Sequence, residues 1–427
     1  MNGHSGAARI GMSGRAGRLL IDVGTSTITG VTATAAPGLA RRARYLGHPT
    51  MRTIALDGAT VAALGSDLTR IGYAFEPPAP RDGFFLDPLG VTWSSDGSSA
   101  APLEHPLAGD PRPRVSGRPM PVWPDLVQVP DGWPALGLDP GDQSASITIL
   151  DAPCPGLLET GLALRGSWAF LEDLADQWRS ATALLEWALE MNVAAYEQAL
   201  AALPAPPDVV LLGDDYGQSR AMFISDADFR AHLHPRLRTL VARLRRLTPA
   251  AICFHSCGAI GPILGDLADL EFEILDLDAD ADGMDIAKVR RALPSATVLH
   301  GWADLEGLGQ ACAVGNRTAV RRLVADLALS GPAIAAPADA VTTPAALNAV
   351  VLGAALVSAL SDWGIEWPRI GGPDAVPEDA LDHAEEVART ITVPVNCGEV
   401  PRTLSRAAMA ARRGEPGPHR RPEAVLA

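Results

Sequence analysis

The sequence predicts an α/β fold in which parallel strands alternate with helices, and three observations support this class. From about residue 166 onward, short apolar runs alternate with long helical patterns, as is typical of parallel β/α units. Polar or acidic residues follow each apolar run, where a strand would meet its loop. The length of 427 residues fits one α/β barrel with insertions, although it also allows two or three ordinary domains.

The N-terminal part is less regular than the rest of the chain. Residues 1–18 are polar and rich in glycine and arginine, and we interpret them as a flexible leader without the apolar core of a secretion signal. A short apolar strand is predicted at 19–23, followed by prolines, turn signals and short strands up to residue 150. We therefore predict one barrel domain at 19–405, with an irregular part at 19–150, a regular part at 166–360, and a flexible tail at 406–427.

Apolar runs predict the later strands at 209–212, 251–254, 272–275, 296–300 and 333–336. The clearest helix lies at 226–247, where leucines and a valine recur at helical spacing and arginines occupy the other face as a solvated surface. An uncharged stretch at 340–361 is long enough to suggest a membrane span. Its first half contains threonine, proline and asparagine, which favours a buried helix of the barrel.

Composition excludes several classes of function. Hydrophobic residues make up 47% of the chain and charged residues 20%, which is typical of a globular protein. The formal net charge of −15 argues against nucleic acid as a partner, because phosphate binding needs clustered Lys and Arg. The five cysteines are scattered and odd in number, so no disulfide framework is expected. We expect a cytoplasmic protein that binds no membrane, and the oligomeric state stays open.

The most informative motif is the His-x-Cys pair that His255 and Cys257 form directly after the predicted strand 251–254. Residues two apart in an extended segment point the same way, so the imidazole and the thiol can bind one ion while Ser256 faces away. Nitrogen together with sulfur suits zinc. The motif is short, and a buried histidine beside an unreactive core cysteine explains it equally well.

Titratable residues end the neighbouring predicted strands. In a β/α barrel the carboxyl ends of the strands converge on one mouth, so these residues are predicted to surround the His-x-Cys pair. They are Asp214, Asp215, Asp276, Asp278, His300, Asp304 and Asp339. Such residues at successive strand ends indicate a functional site, although each one alone also suits a helix cap.

Several short motifs occur in a specific order. They are GDDYGQ at 213–218, ISD at 224–226, HSCG at 255–258, GMD at 283–285 and HGWAD at 300–304, preceded by IDVGT at 21–25, DPLG at 87–90 with Trp93, and GSW at 166–168 with LEDL at 171–174. This order resembles the uroporphyrinogen decarboxylase superfamily, and within it the cobamide-dependent methyltransferase branch. The likeness spans roughly residues 18–360 and implies a single distorted (β/α)8 TIM barrel with N-terminal elaborations.

The methyltransferase branch implies a zinc ion that His255 and Cys257 hold together with one later ligand. Asp339 is the expected third ligand, where the family usually has a thiolate or histidine, and Cys397 is the alternative. In that branch the zinc lowers the pKa of a thiol substrate, whose sulfur then attacks a methyl group on the cobalt of a corrinoid such as cobalamin. The corrinoid is expected on a separate small carrier protein.

Three hypotheses follow. The leading one is a metal-dependent methyltransferase that moves a methyl group between a corrinoid and a small, thiol-type substrate, with Asp214 and Asp215 orienting the substrate or the metal ligands. The second is a metal-free decarboxylase or lyase that uses Asp214, Asp215 and Tyr216 on a porphyrinogen or a small carboxylate. The third is a non-catalytic corrinoid-binding relative whose metal site has decayed.

Overall fold

The computed structural model describes residues 19–24, 30–37, 45–46, 53–56, 60–61, 64–75, 83–95, 100–110, 113, 115, 117–123, 126–127, 147–329, 331–365, 367 and 376–390. Its strands are β1 (Leu20–Ile21), β2 (Tyr45–Leu46), β3 (Thr53–Ile54), β4 (Leu68–Phe75), β5 (Phe84–Leu86), β6 (Thr92–Ser95), β7 (Ala100–Glu104), β8 (Leu126–Val127), β9 (Ile147–Leu150), β10 (Val209–Gly213), β11 (Gly217–Gln218), β12 (Ala221–Met222), β13 (Ala251–Ser256), β14 (Ile274–Leu277), β15 (Val298–Asp304) and β16 (Ala333–Ala336).

Within the described residues, the helices whose full bounds are known follow β9. They are α1 (Leu157–Arg165), α2 (Ser167–Ala175), α3 (Arg179–Ala201), α4 (Asp226–Asp228), α5 (His234–Leu247), α6 (Leu264–Ala268), α7 (Ile286–Ala292), α8 (Leu305–Ala313), α9 (Arg317–Leu329), α10 (Pro344–Asp362) and α11 (Glu378–Thr390). A π-helical turn, Phe229–Leu233, joins α4 to α5, so the helix predicted at 226–247 is confirmed with a widened turn before Pro235. Proline has no N–H for a regular helical bond, which favours such a widening.

Eight parallel strands form the barrel, in the order β1, β16, β15, β14, β13, β10, β9 and β4. The two ends of this series meet where the backbone N–H of Asp67 donates to the carbonyl of Ile21 over 2.7 Å. The carboxylate of Asp67 accepts in turn from the N–H of Ile21 over 2.9 Å. The sheet is therefore nearly closed, and the predicted distorted (β/α)8 barrel is confirmed.

The N-terminal elaboration involves segments before and after β4. The strands β5, β6 and β7, between β4 and β9, form a separate antiparallel sheet, and β2 and β8 pair antiparallel with β4. The residues of β4 in these two pairings are 72–75, at the carboxyl end of the strand. The pairings of β2 and β8 therefore lie on the side of the barrel that carries the mouth.

The interior of the barrel has two layers. The lower layer is an apolar plug, formed by Leu20, Leu68, Ile147, Ile149, Val209, Leu211, Ala251, Cys253, Ile274, Val298 and Ile334. Side chains two positions further along each strand point to the same interior face, nearer the mouth. These residues form the polar layer: Asp22, Arg70, Asp151, Gly213, His255, Asp276, His300 and Ala336. The polar layer is the floor of the mouth.

The helix α10 covers the stretch for which a buried helix was predicted. Among the described helices it is long and apolar enough to cross a membrane by composition, and 61% of its most apolar window is buried inside the protein. It packs closely against α8, because a methyl group on Gly309 would overlap the carbonyl of Ala349 and one on Gly353 would overlap that of Leu305. The two glycines let the helix backbones approach each other.

Gly353→Val is expected to lower the free energy of unfolding by about 1–3 kcal/mol, because the added side chain must force the two helices apart. The matched control is Gly265→Ala in α6, where a methyl group would meet no atom within 4 Å. This control is expected to leave stability unchanged or raise it by up to about 1 kcal/mol. Urea denaturation measures both, and equal stability of Gly353→Val and wild type would contradict the close packing of α8 and α10.

Candidate metal centre

Three side chains converge at the mouth of the barrel. The Nε2 atom of His255 lies 3.2 Å from Sγ of Cys257 and 3.3 Å from Oδ1 of Asp215. The ligand atoms of all three residues lie within 4.8 Å of one another. An imidazole nitrogen, a thiolate sulfur and a carboxylate oxygen are the donors that zinc takes in proteins, and three protein ligands leave one position for a substrate. The donor set therefore fits zinc.

The spacing of the His-x-Cys pair places both side chains on the same side, as predicted. Every residue of β13 is buried, and alternation along the strand brings His255 and Cys257 to the same side. Ser256 points the other way, and its hydroxyl oxygen accepts from the backbone N–H of Tyr216 over 3.1 Å. This bond joins the segment that carries Cys257 to the segment that carries Asp215.

Two glycines fix the loops that carry the ligands. Gly258 has a φ of +90°, and a methyl group there would overlap the backbone of Gly217. The N–H of Ala259 donates to the carbonyl of Gln218 over 2.8 Å, and the N–H of Cys257 donates to Oδ1 of Asp215 over 2.7 Å. Because the two loops touch along their backbones, the third ligand is held beside the pair.

A buried chain of hydrogen-bonding groups lies behind His255. Its Nδ1 atom is 3.4 Å from Oδ1 of Asp276, whose Oδ2 is 2.9 Å from Nδ1 of His300. Nε2 of His300 lies 2.8 Å from Oδ2 of Asp22 on the opposite side of the barrel. All four side chains belong to the polar layer and are almost completely buried.

These contacts shift the protonation of the whole centre. Burial opposes the charged form of His300, but Asp276 and Asp22 outweigh it and raise the pKa of His300 to about 10. The pKa of His255 is also raised against burial, by Asp215 and Asp276, while His300 and His255 lower that of Asp276. Burial raises the pKa of the Cys257 thiol. A metal ion must therefore displace protons from His255 and Cys257.

Asp215 is the acid among the three ligands. Burial favours its neutral form, but hydrogen bonding to His255 and to the N–H of Cys257 lowers its pKa below the ordinary value. About a third of its side chain, 34%, is exposed, against 9% of the side chain of His255. Asp215 was predicted to orient the substrate or the ligands, and the structure places it in the ligand group itself.

The side chain of Asp214 binds the start of a helix. Its carboxylate accepts from the backbone N–H groups of Leu158 and Glu159 over 2.9 and 3.0 Å, so it caps the first turn of α1. Gly156 makes room for this cap, because a methyl group there would overlap the side chain of Asp214. Asp214 was predicted to orient the substrate or the groups around the metal. The structure places it in a buried position, where it holds the start of α1 against the end of β10.

Tyr216, which was predicted to act in catalysis in the decarboxylase hypothesis, is packed between aromatic rings. Its ring is completely buried between Phe229, at a centroid distance of 5.0 Å, and Phe254, at 6.0 Å. Burial and the charge of Asp214 raise the pKa of its hydroxyl well above the ordinary value. Tyr216 packs on the outer side of the sheet, against the helices, and does not reach the mouth.

Asp339 is not brought to the ligand group. It is exposed, and its carboxylate accepts from the N–H of the next residue, Ala340, over 2.6 Å. Asp339 was expected as the third ligand. Among the described residues, the acid that lies beside His255 and Cys257 is Asp215, because its loop packs on that of Cys257. The alternative ligand, Cys397, lies outside the described residues.

Two other acids at the predicted strand ends accept hydrogen bonds from backbone N–H groups. Asp304 accepts from the N–H groups of Glu306 and Gly307 and caps α8, and Asp278 accepts from the N–H of Asp280.

The sequence analysis named His300 and Asp276 only as residues of the mouth, and it did not connect them to Asp22. The signal was available, because all three lie two positions beyond an apolar residue of the barrel interior.

Comparison with known proteins agrees with the fold and with the order of motifs. Residues 160–325 match the family model of uroporphyrinogen decarboxylase (URO-D). This segment contains all three members of the ligand group, and the match confirms the predicted resemblance. No curated protein matches the chain significantly.

Among solved structures, the chain is similar to a methyltransferase from Methanosarcina mazei with a TM-score of 0.53 and 16% identity, covering 82% of this chain and 98% of that one. At this identity the likeness shows a shared fold. A second match, nitroalkane oxidase from Streptomyces ansochromogenes, has 14% identity over 63% of this chain and 82% of that one. Its TM-score of 0.20 is too low to indicate a common fold.

A further carboxyl beside the centre gives a testable pH dependence. Burial, together with the charges of Asp215 and Asp214, raises the pKa of Glu159 to about 8 from an ordinary value of 4.5. The folded protein thus keeps a proton that the unfolded chain releases, so this group's contribution to stability falls as pH rises between these two values. Glu159→Gln keeps an acceptor for the N–H of Gly156 and removes the titration.

We expect the free energy of unfolding of metal-free Glu159→Gln to depend less on pH than that of the wild type. Urea denaturation at intervals from about pH 5 to about pH 8 measures this difference. The variant should gain stability relative to the wild type as pH rises. Parallel curves for the two proteins would show that Glu159 is ionised throughout and would contradict its raised pKa.

Proposed function

We propose that the protein is a zinc-dependent methyltransferase that moves a methyl group between a corrinoid and a thiol. The observation that carries the proposal is the convergence of Asp215, His255 and Cys257 at the mouth of the barrel. The URO-D match and the shared fold with a methyltransferase support it. The proposal includes a separate corrinoid-carrier protein as partner and a cytoplasmic location.

The charge of the ligand set suits a thiol substrate. The carboxylate of Asp215 and the thiolate of Cys257 together balance the two positive charges of a zinc ion, and His255 binds as a neutral imidazole. When bound, zinc would supply a Lewis acid that lowers the pKa of a coordinated thiol, and the corrinoid would supply or accept the methyl group. The ligand set contains one thiolate and one carboxylate, and zinc in such a set is a harder Lewis acid than zinc bound by two thiolates.

The residues of the chain have separate tasks in this proposal. His255, near the end of β13, and Cys257, directly after this strand, would hold the metal, and Asp215 would hold it from the loop after β10. The polar layer and the apolar plug fill the barrel interior below, so a substrate would approach the metal from the mouth. Positioning of the sulfur against the methyl group is the main contribution that such a site makes to the rate.

A metal-free decarboxylase is the second candidate, because the family whose model matches is named for that reaction. That hypothesis assigned three residues to catalysis. Asp214 is used as a helix cap and Tyr216 is completely buried, which leaves only Asp215 open to a substrate. The geometry thus supports the methyltransferase better. The third candidate is a non-catalytic, corrinoid-binding protein whose metal site is not functional, and metal analysis tests it.

Zinc content tests the ligand assignment. Protein purified without added metal is expected to contain about one zinc per chain, and His255→Ala and Cys257→Ala are expected to contain almost none. Asp215→Asn should weaken zinc binding because an amide is a poorer ligand than a carboxylate. Asp339→Asn is the matched control and should bind zinc like the wild type. Loss of zinc in Asp339→Asn, with retention in Asp215→Asn, would contradict the assignment.

The reaction is tested by following methylcobalamin absorbance in the presence of a panel of thiols. We expect thiol-dependent loss of the methyl–cobalt bond that needs zinc and that falls to background in His255→Ala. Chelation of the wild type should abolish it, and zinc should restore it. Release of carbon dioxide from a porphyrinogen by the chelated protein would instead establish the decarboxylase.

A further inference from the structure

Four strands contribute to the buried chain behind the metal centre: Asp22 follows β1, His300 lies on β15, Asp276 on β14 and His255 on β13. Asp276 uses one carboxylate oxygen for each histidine, at 3.4 Å from His255 and 2.9 Å from His300. His300 in turn has one ring nitrogen on each acid. The chain therefore runs from the candidate ligand across the interior of the barrel.

His300 can satisfy both acids only as a donor from both ring nitrogens. An imidazolium has two N–H groups and no acceptor, and two carboxylates are acceptors only, so the pairing is complete in this form. Removing His300 would take this donor away from the buried carboxylates of both Asp22 and Asp276, which is costly. The arrangement thus fixes the side chain of Asp276 from the side away from the metal centre.

His255 depends on Asp276 for its orientation. Its Nδ1 atom is buried and, among the described residues, has no ordinary hydrogen-bond partner, so the carboxylate at 3.4 Å is the acceptor available to it. An N–H on Nδ1 directed at a carboxylate leaves Nε2 with its lone pair toward Asp215 and Cys257. Metal-binding histidines in proteins commonly have their second nitrogen held in this way.

We propose that His300 and Asp22 are positioning residues, which hold Asp276 so that His255 presents Nε2 to the metal. The inference rests on the proposed function, because it assigns a task toward the zinc ion. Neither residue touches the ligand atoms, and Asp22 acts from the far wall of the barrel. The alternative is that the chain only stabilises the fold.

The experiment measures zinc affinity by competition with a chromophoric chelator. His300→Leu removes both donors, and we expect zinc affinity to fall by about 10–100-fold, the usual effect of losing a group that holds a metal ligand. His300→Asn keeps an N–H close to the position of Nδ1 and should recover most of the affinity. Asp22→Asn keeps the shape and an acceptor, so it should fold if His300→Leu does not, with a smaller loss in the same direction.

A control separates positioning from loss of stability. Asp208 is buried and accepts from the backbone and side chain of Thr148, at the end of the barrel away from the mouth. Asp208→Asn is expected to lower stability without changing zinc affinity. The absorption spectrum of the Co²⁺-substituted protein gives a second readout, and it should change in His300→Leu and not in Asp208→Asn. Unchanged zinc affinity and unchanged spectra in both His300→Leu and Asp22→Asn would overturn the proposal.

Failure of the positioning proposal can be told apart from failure of the proposed function. If the wild type binds no zinc, the methyltransferase proposal fails, and crystal structures of metal-free wild type and the Asp22 and His300 variants still test positioning. Separation of Asp276 from His255 in a variant would support it, and an unchanged contact in all of them would reject it. If zinc binds and the variants lose affinity but no thiol is methylated, positioning stands without the proposed reaction.

Discussion

The alternation of side chains along the barrel strands is the constraint on which the rest of the structure depends. It places an apolar plug in the lower barrel and, two residues further along each strand, a polar layer beneath the mouth. The plug gives the barrel a hydrophobic interior, and the polar layer brings acids and histidines into a region with little water. The chemistry of the site follows from this second layer, because charges there must be paired.

The charged side chains of the polar layer lie in pairs of acid and base. Nε of Arg70 donates to Asp151 over 2.9 Å, and His300 lies between Asp22 and Asp276. His255 is held by Asp276 on one side, and its other nitrogen faces Asp215 and Cys257 at distances that suit a shared metal ion. The contact between the glycines at 217 and 258 places the third candidate ligand, because it brings the loop of Asp215 against that of Cys257.

Much of the fold could be predicted because it depends on local pattern. The strand at Ala333–Ala336 was predicted with its exact bounds, and those at 272–275 and 296–300 were shifted or lengthened toward their carboxyl ends. The pairing of His255 with Cys257 followed from strand alternation. The third ligand could not be predicted, since it depends on the packing of two loops from different strands, and spacing alone does not reveal that Asp214 turns to cap α1 while Asp215 turns to the mouth.

The central claim is that one sulfur, one nitrogen and one carboxylate oxygen of this chain hold a zinc ion at the mouth of the barrel. X-ray absorption at the zinc edge of the purified protein measures these ligands directly. We expect a single sulfur ligand, at about 2.3 Å, together with nitrogen and oxygen ligands at about 2.0–2.2 Å. Two sulfur ligands would bring a second cysteine, such as Cys397, into the centre and would contradict the assignment of Asp215.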